Sequence, residues 1–390
     1  MAIVVGSGAG GGAIARELAA RGHETLVIER GPALLEEQHA HRYYANVDAG
    51  MKIMRVCCLG GTTTVSAGNA VRCLEAELAT LGIDLSREFA ELEAELGVQE
   101  LPDDLIGAGT LRLMDAARRL GLPVFRMPKF IDPDLCTRDG QCAFGCPTSA
   151  RWTATRFVRD AEAMGARIRT DTVAGEVLTR HGEVCGVRCG AEEIADDIVV
   201  LAAGALETPR FLESLGLPTS PLFVDTFTTI GGVCPGAGLH TDIPMAAFVP
   251  FAGGIILPHY ARQLADLLQA GQGDILGLMV KIRDDDAGTV GAVVAKGVTV
   301  RDAASLSGGA AMAGAVLAEA GADPATFAAT PLRGTHPGGT ARIGVAVDRN
   351  LETGVSGLYV ADASVLPAAP GAPPILTIMA LARHAARQMG

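Results

Sequence analysis

Ala2-Ile3-Val4-Val5-Gly6-Ser7-Gly8-Ala9-Gly10-Gly11, then a helical pattern over 13–21, then Thr25-Leu26-Val27-Ile28-Glu29, is the stretch that decides the fold. The apolar, β-branched run Ala2–Val5 reads as a buried strand, the pattern over 13–21 as a helix stopped by Gly22, and Thr25–Ile28 as a second strand. This is a βαβ unit carrying G-x-G-x-x-G. Gly6 makes the turn, Gly8 lets the backbone approach a pyrophosphate, and Gly11 allows close packing of helix on strand. The helix N-terminus offers free N–H groups and a positive dipole end to the phosphates. Glu29, 18 residues past Gly11, is placed to accept hydrogen bonds from ribose hydroxyls and disfavours a 2′-phosphate. The unit predicts dinucleotide binding without separating FAD from NAD.

Working outward, the chain of 390 residues suits two domains. Its net charge of −12 gives no overall attraction to phosphate backbones and argues against nucleic-acid binding. Hydrophobic residues at 49% with 19% charged exclude a disordered chain. The longest apolar stretches, such as 245–257, are broken by Gly and Pro and fall short of the roughly 20 residues of a spanning helix. No targeting segment is read ahead of the first strand, so the expectation is a cytoplasmic protein whose nine cysteines are reduced. Low charge and many apolar residues are compatible with a homodimer.

Further blocks follow in order. Gly60-Gly61-Thr62-Thr63-Thr64-Val65-Ser66-Ala67-Gly68-Asn69 is a glycine–hydroxyl turn too polar to be core. Residues 198–203 read as a buried strand leaving through Gly204-Ala205, with Thr208-Pro209 opening a helix. Near the end come His336-Pro337-Gly338-Gly339-Thr340, then Gly357-Leu358-Tyr359-Val360-Ala361-Asp362-Ala363-Ser364, then Pro373-Pro374-Ile375-Leu376-Thr377 and an apolar helix. Between them, 221–233, 243–251, 275–283 and 289–300 read as antiparallel strands, with Asp284-Asp285-Asp286-Ala287-Gly288 as a hairpin-like turn. Residues 78–96 read as helix, part of a cap.

From end to end these blocks resemble the glucose–methanol–choline (GMC) oxidoreductase family of FAD enzymes, in a short form. The resemblance implies an α/β fold with an α+β second domain. A Rossmann-like FAD-binding domain would comprise 1–75, 130–215 and 331–390, and a small antiparallel-sheet substrate domain with its cap 76–129 and 216–330. It implies that Gly6, Gly8, Gly11 and Glu29 hold the ADP half of FAD, and that Gly61, Thr62, Gly68 and Asn69 pack on the isoalloxazine. Either Ser66 or Asn69 would meet flavin N5. Asp362 and Ala363 match the pair at the ribityl chain and pyrophosphate. Pro374 and Ile375 start the last helix, whose dipole would favour anionic reduced flavin. His336 falls at the position of the active-site base, and a neutral imidazole suits that task. At the second active-site position the family has His or Asn, whereas this chain has Pro373, which carries no side-chain polar group and no N–H.

Cys136, Asp139, Cys142 and Cys146 form C-x₂-D-x₂-C-x₃-C-P, a bacterial ferredoxin run with Asp in place of the second Cys. The run could hold an iron–sulfur cluster, with Cys57 and Cys58 as further ligands, or zinc, or a redox disulfide, or it could be a packing loop without metal. His39 and His41 read as a solvated loop, Arg151-Trp152 as packing, and His240 with Asp242 as a possible wall of the substrate site.

The expectation is therefore an FAD dehydrogenase that transfers hydride from a substrate CH–OH group to flavin N5, with His336 as base. Electrons would pass to an acceptor that the sequence leaves unknown. Only 4% of residues are aromatic, which suggests an aliphatic pocket and an apolar hydroxylated small molecule. Two alternatives stay open: a flavin-dependent reductase of a C=C or C=O bond, and a flavin/iron–sulfur electron-transfer subunit.

Overall fold

The structure is a computed structural model that describes residues 1–389. The strand Ala2–Val5, buried throughout, lies at the centre of a five-stranded parallel sheet. The sheet order is Leu358–Val360, Val199–Leu201, Ala2–Val5, Thr25–Ile28, Arg167–Arg169. Val4 sits opposite Val200 on one side and Val27 on the other, so the middle strands read as continuous apolar runs, as expected where helices and loops cover both faces. The helix Ala9–Ala20 packs on the helices Ala154–Ala163 and Ile375–Ala386, which bury its small residues Gly12, Ala13 and Ala15. A three-stranded meander, Glu176–Arg180, Glu183–Cys189 and Glu192–Ala195, is inserted before the strand Val199–Leu201. Its first turn, His181-Gly182, has positive φ at both residues (+54° and +86°), the two-residue turn whose twist matches antiparallel strands.

The second body is built on a larger, mostly antiparallel sheet, in which Thr226–Val233 and Ile275–Ile282 pair over seven positions. Gly254–Pro258 and Ala247–Phe251 continue it on one side. Arg333–Gly334 and Lys52–Ile53 extend it on the other, the last two running parallel. The strand Lys52–Ile53 thus leads toward the glycine–hydroxyl turn, and Arg333–Gly334 leads to His336. The helix Val300–Glu319, started by a capping box between Thr299 and Asp302, lies across its far face.

Three expectations change. Residues 284–288 are not a turn between paired strands. The strand Ile275–Ile282 pairs elsewhere, and Asp284 is buried as an acceptor for backbone N–H groups. Residues 289–300 are not one strand: Gly288–Val290 and Val294–Lys296 form a small hairpin that leads into the long helix. The helix read over 78–96 is two helices, Glu75–Thr80 and Ser86–Leu96, broken at Gly82 with φ +75°. Although grouped with the cap in the sequence reading, they pack with the last helix into the core of the parallel-sheet body, through Leu78, Phe89 and Leu92.

Candidate active site and cofactor cradle

A cavity of about 400 Å³ opens where the two bodies meet. At one end the chain leaves the first strand through Gly6 (φ +103°) and enters the first helix at Gly8. A side chain at Gly10 or Gly11 is excluded by backbone: an added Cβ would lie 1.7 Å from Ala361 O or 2.0 Å from Gly6 O. Gly8 is the opposite case. A Cβ there meets nothing within 4 Å and would project into open space, and no side chain caps the helix. The first-turn N–H groups thus remain free donors at the cavity wall. Glu29 also lines the cavity; its carboxylate accepts from Ser7 N–H (3.1 Å), the Ser7 hydroxyl (2.7 Å) and Gly31 N–H (2.8 Å). A carboxylate has acceptor capacity beyond three such bonds.

The glycine–hydroxyl turn is held from behind by Arg151. Its buried guanidinium donates to Thr63 O, Thr64 O and the Ser66 hydroxyl (2.5, 2.7 and 3.0 Å), so Arg151 is a clamp, while Trp152 packs between Phe130 and Phe157. Gly61, Thr62, Ser66 and Asn69 line the cavity; Gly11 and Gly68 do not. Gly68 turns with φ +69° against Ile131 and Arg151, where a Cβ would come within 2.8 Å of Ile131 Cγ1. Asn69 Oδ1 accepts from Lys129 Nζ at 2.6 Å, which fixes the amide. Burial drops the Lys129 ammonium to about 7.

Asp362 carries four hydrogen bonds: from Gly204 N–H, the Thr208 hydroxyl, Ser364 N–H and the Ser364 hydroxyl. Its carboxylate ties the exit of one parallel-sheet strand to that of its neighbour, and with Ala363 it borders the cavity. Pro374 is the N-cap of the last helix, Ile375–Ala386, and Pro373, Pro374 and Ile375 all line the cavity.

His336 stands at the other end. Its Nδ1 lies 2.9 Å from Oδ2 of Asp225, a wholly buried carboxyl whose Oδ1 accepts from Gly371 N–H at 3.0 Å. Burial holds the imidazole well below its usual 6.5 and pushes Asp225 up to about 7. Lys281 lines the cavity beside them. Its Nζ donates to the Thr335 hydroxyl at 2.7 Å and toward Asp225 O at 3.4 Å. Asp225 has φ +51°, and its N–H is held by Asp284, which in turn pairs with buried Lys296 at 3.1 Å. Sequence reading missed Asp225, Lys281, Asp284 and Lys296. The one local sign was a triple Asp at 284–286, which reads more readily as a turn.

The cysteine run does not assemble a metal site. Among the described residues no group of three or more His, Cys, Asp or Glu could hold a metal ion. Cys136, Asp139, Cys142 and Cys146 are therefore not a ligand set, and Cys57 and Cys58 do not complete one. The loop packs instead on the 37–44 segment, with the Tyr44 hydroxyl donating to Ala143 O and His41 Nδ1 3.1 Å from Phe144 O. His240 stacks edge-on to Tyr260 and is not part of the cavity wall. Asp242 caps the helix Ala108–Arg119 by accepting from Thr110 N–H at 2.6 Å.

An uncapped helix N-terminus, an open Gly8 and the Glu29 carboxylate on one cavity wall fit a dinucleotide whose diphosphate meets the first helix. With the antiparallel sheet closing the far end over a half-buried imidazole, they define an FAD-binding oxidoreductase fold. The model described as GMC oxidoreductase matches residues 3–233 and, for its C-terminal part, residues 278–382. The uncharacterized protein MJ1450 of Methanocaldococcus jannaschii is 30% identical over 99% of this chain and 98% of its own. The long-chain-alcohol oxidase FAO4A of Arabidopsis thaliana is 29% identical over 56% of this chain and 34% of its own. Pyridoxine 4-oxidase from Mesorbium loti shares the fold at TM-score 0.75 and 18% identity, covering 99% of this chain and 98% of that one. The chain belongs to the GMC oxidoreductase family. Among the described residues no helix is long and apolar enough to cross a membrane.

Proposed function

We propose that this protein oxidises the CH–OH group of a small, mainly apolar alcohol, with His336 as general base and FAD as its cofactor. The observation that carries the reading is the 2.9 Å contact between His336 Nδ1 and the Asp225 carboxyl. With Nδ1–H donated to Asp225, the lone pair is on Nε2, which has no hydrogen-bond partner among the described residues and belongs to a ring on the cavity wall. Burial keeps the ring neutral near pH 7, the form that accepts a proton. Nε2 takes the hydroxyl proton, and the loss of that proton weakens the adjacent C–H bond. FAD, held by the Gly6–Gly8 turn and the first helix, would supply the hydride acceptor. Met245, Met279, Pro373 and Ile375 exclude water and favour apolar chains. In this division of labour the cofactor rests on the parallel-sheet body, and the substrate meets the antiparallel sheet that carries Met279 and Lys281. The relative named long-chain-alcohol oxidase supports an alcohol as substrate class.

The test is anaerobic single-turnover reduction of the bound flavin by a panel of aliphatic alcohols and sugars. Aliphatic alcohols should bleach the flavin, and His336→Ala should slow that by at least about a hundredfold. Unchanged reduction in His336→Ala, or reduction by sugars alone, would refute the reading.

A further inference from the structure

Lysine is scarce in this chain, 4 residues against 28 arginines, and Lys129, Lys281 and Lys296 are almost wholly buried. An ammonium has three N–H donors, so a buried one needs three acceptors. Lys129 has them: Ala67 O, Asn69 Oδ1 and Pro244 O, at 3.0, 2.6 and 2.9 Å. Lys296 also has three partners: Asp284, Asp302 and Gly297 O. Among the described residues Lys281 has only two, the Thr335 hydroxyl at 2.7 Å and Asp225 O at a long 3.4 Å. The Phe227 ring, 5.4 Å from its Nζ, favours a cation without supplying an oxygen acceptor. Lys281 is also the one of the three on the cavity wall. Thr335 joins it to His336 along the chain, and Asp225 joins it through space by binding Nζ with its carbonyl and the imidazole with its carboxyl. Pro373, on the same cavity, offers no donor.

We propose that Lys281 is the second polar group of this active site, a catalytic residue whose third N–H binds the oxygen on the reacting carbon. The inference rests on the CH–OH reading above. The hydroxyl proton goes to His336 Nε2, and hydrogen with its electron pair would leave carbon for the FAD that the first helix would hold. The C–O single bond would become a carbonyl, the alcohol losing the two electrons that FAD would accept. Lys281 transfers no proton. It donates a hydrogen bond that strengthens as the oxygen gains charge, the contribution that a proline at 373 cannot make. The site therefore selects a substrate with an apolar tail and one strongly accepting oxygen at its reacting end.

The test uses the FAD-loaded protein and hexanoate, whose carboxylate presents such an oxygen on an apolar chain. Hexanoate should bind wild type, at least about tenfold more weakly to Lys281→Met, and again to Lys281→Arg. In wild-type protein with ¹³Cε-labelled lysine, hexanoate should shift one of only four lysine signals, the one missing from Lys281→Arg; this readout stands even where Lys281→Met does not fold. Reduction by hexan-1-ol should fall about 10²- to 10³-fold in Lys281→Met, the usual loss for one oxyanion donor. Equal hexanoate affinity in Lys281→Met, or no shift of the Lys281 signal, overturns the proposal. Absence of alcohol turnover in wild type would instead overturn the CH–OH reading, while the binding result still reports on Lys281.

Discussion

Nδ1 of His336 and Oδ2 of Asp225 lie 2.9 Å apart, joining two strand ends that are 111 positions apart in the chain. The carboxyl comes from the start of the strand Thr226–Val233 and the imidazole from just beyond Arg333–Gly334, which pairs with that strand. The pairing register thus sets the geometry of the dyad. Because Asp225 is buried and bonded to Gly371 N–H as well, the imidazole has one orientation available in which Nδ1 is satisfied.

The dyad predicts a pH profile. On the proposed reading the reactive form has an ionised Asp225 and a neutral His336, and adding one proton to the pair removes the base. Burial raises Asp225 to about 7 and depresses His336, so the proton gained near neutrality belongs to the pair rather than to either residue. Flavin reduction by alcohol, as kcat/KM, should rise with pH through about 7 and then level off. An acid limb well below 6.5 would contradict a coupled pair and fit an isolated imidazole.

Asp225→Asn should separate positioning from folding. Asn presents an N–H₂ to Nδ1 and so favours the tautomer with the proton on Nε2, the wrong one for a base. The expected loss in flavin reduction is on the order of 10²-fold or more, with FAD content unchanged. Stability should move the other way with pH. A carboxyl whose folded pKa is raised from 3.8 to about 7 gives stability that is full below about 4 and is lost as pH rises through about 7. Asn has no such loss, so the variant should gain on wild type over that window in denaturant melts. A constant difference between pH 4 and 8 would contradict the buried-carboxyl account.

Two glycines of the first turn should behave differently on substitution. Gly8→Ala puts a methyl into open cavity at an ordinary φ of −68°, so the fold should survive with weakened FAD retention. Gly10→Ala drives a methyl to 1.7 Å from Ala361 O and should cost about 1–3 kcal/mol or more, visible as a lower Tm with FAD removed. Equal Tm for the two apoproteins would contradict this.

What was legible in the sequence follows from how local the demand is. Gly6, Gly8, Gly11 and Glu29 serve one turn, one helix start and one strand end, so their spacing shows in a single βαβ unit. His336 could be singled out because it sits in a block that matches the family. Asp225 and Lys281 could not, since what they do arises from strand pairing: Nζ of Lys281 reaches a hydroxyl 54 positions away. The cysteine run stayed ambiguous for the complementary reason: ligand spacing is local, whereas whether the side chains assemble around one ion is set by how the loop folds. The helix Val300–Glu319, rich in Ala and Gly with weak apolar periodicity, went unread; the spacing of Thr299 and Asp302 was the local signal that could have revealed its start.

The ion cluster behind the dyad gives the last prediction. Asp284 accepts from Val224 N–H, Asp225 N–H and the Thr226 hydroxyl, and so holds the backbone that bends to φ +51° at Asp225. Lys296, with its side chain fully buried, lies 3.1 Å from Asp284 and 3.7 Å from Asp302. Removing one partner of a buried ion pair leaves the other charge uncompensated, at a cost of about 3–5 kcal/mol. Lys296→Met should therefore lower Tm sharply and, where the protein still folds, slow flavin reduction, because the anchor of Asp225 is then a carboxyl driven toward protonation. Adding Asp284→Asn to Lys296→Met removes that charge while keeping an oxygen for the Asp225 N–H. The double variant should recover part of both losses, and strictly additive losses would show that Lys296 and Asp284 act independently.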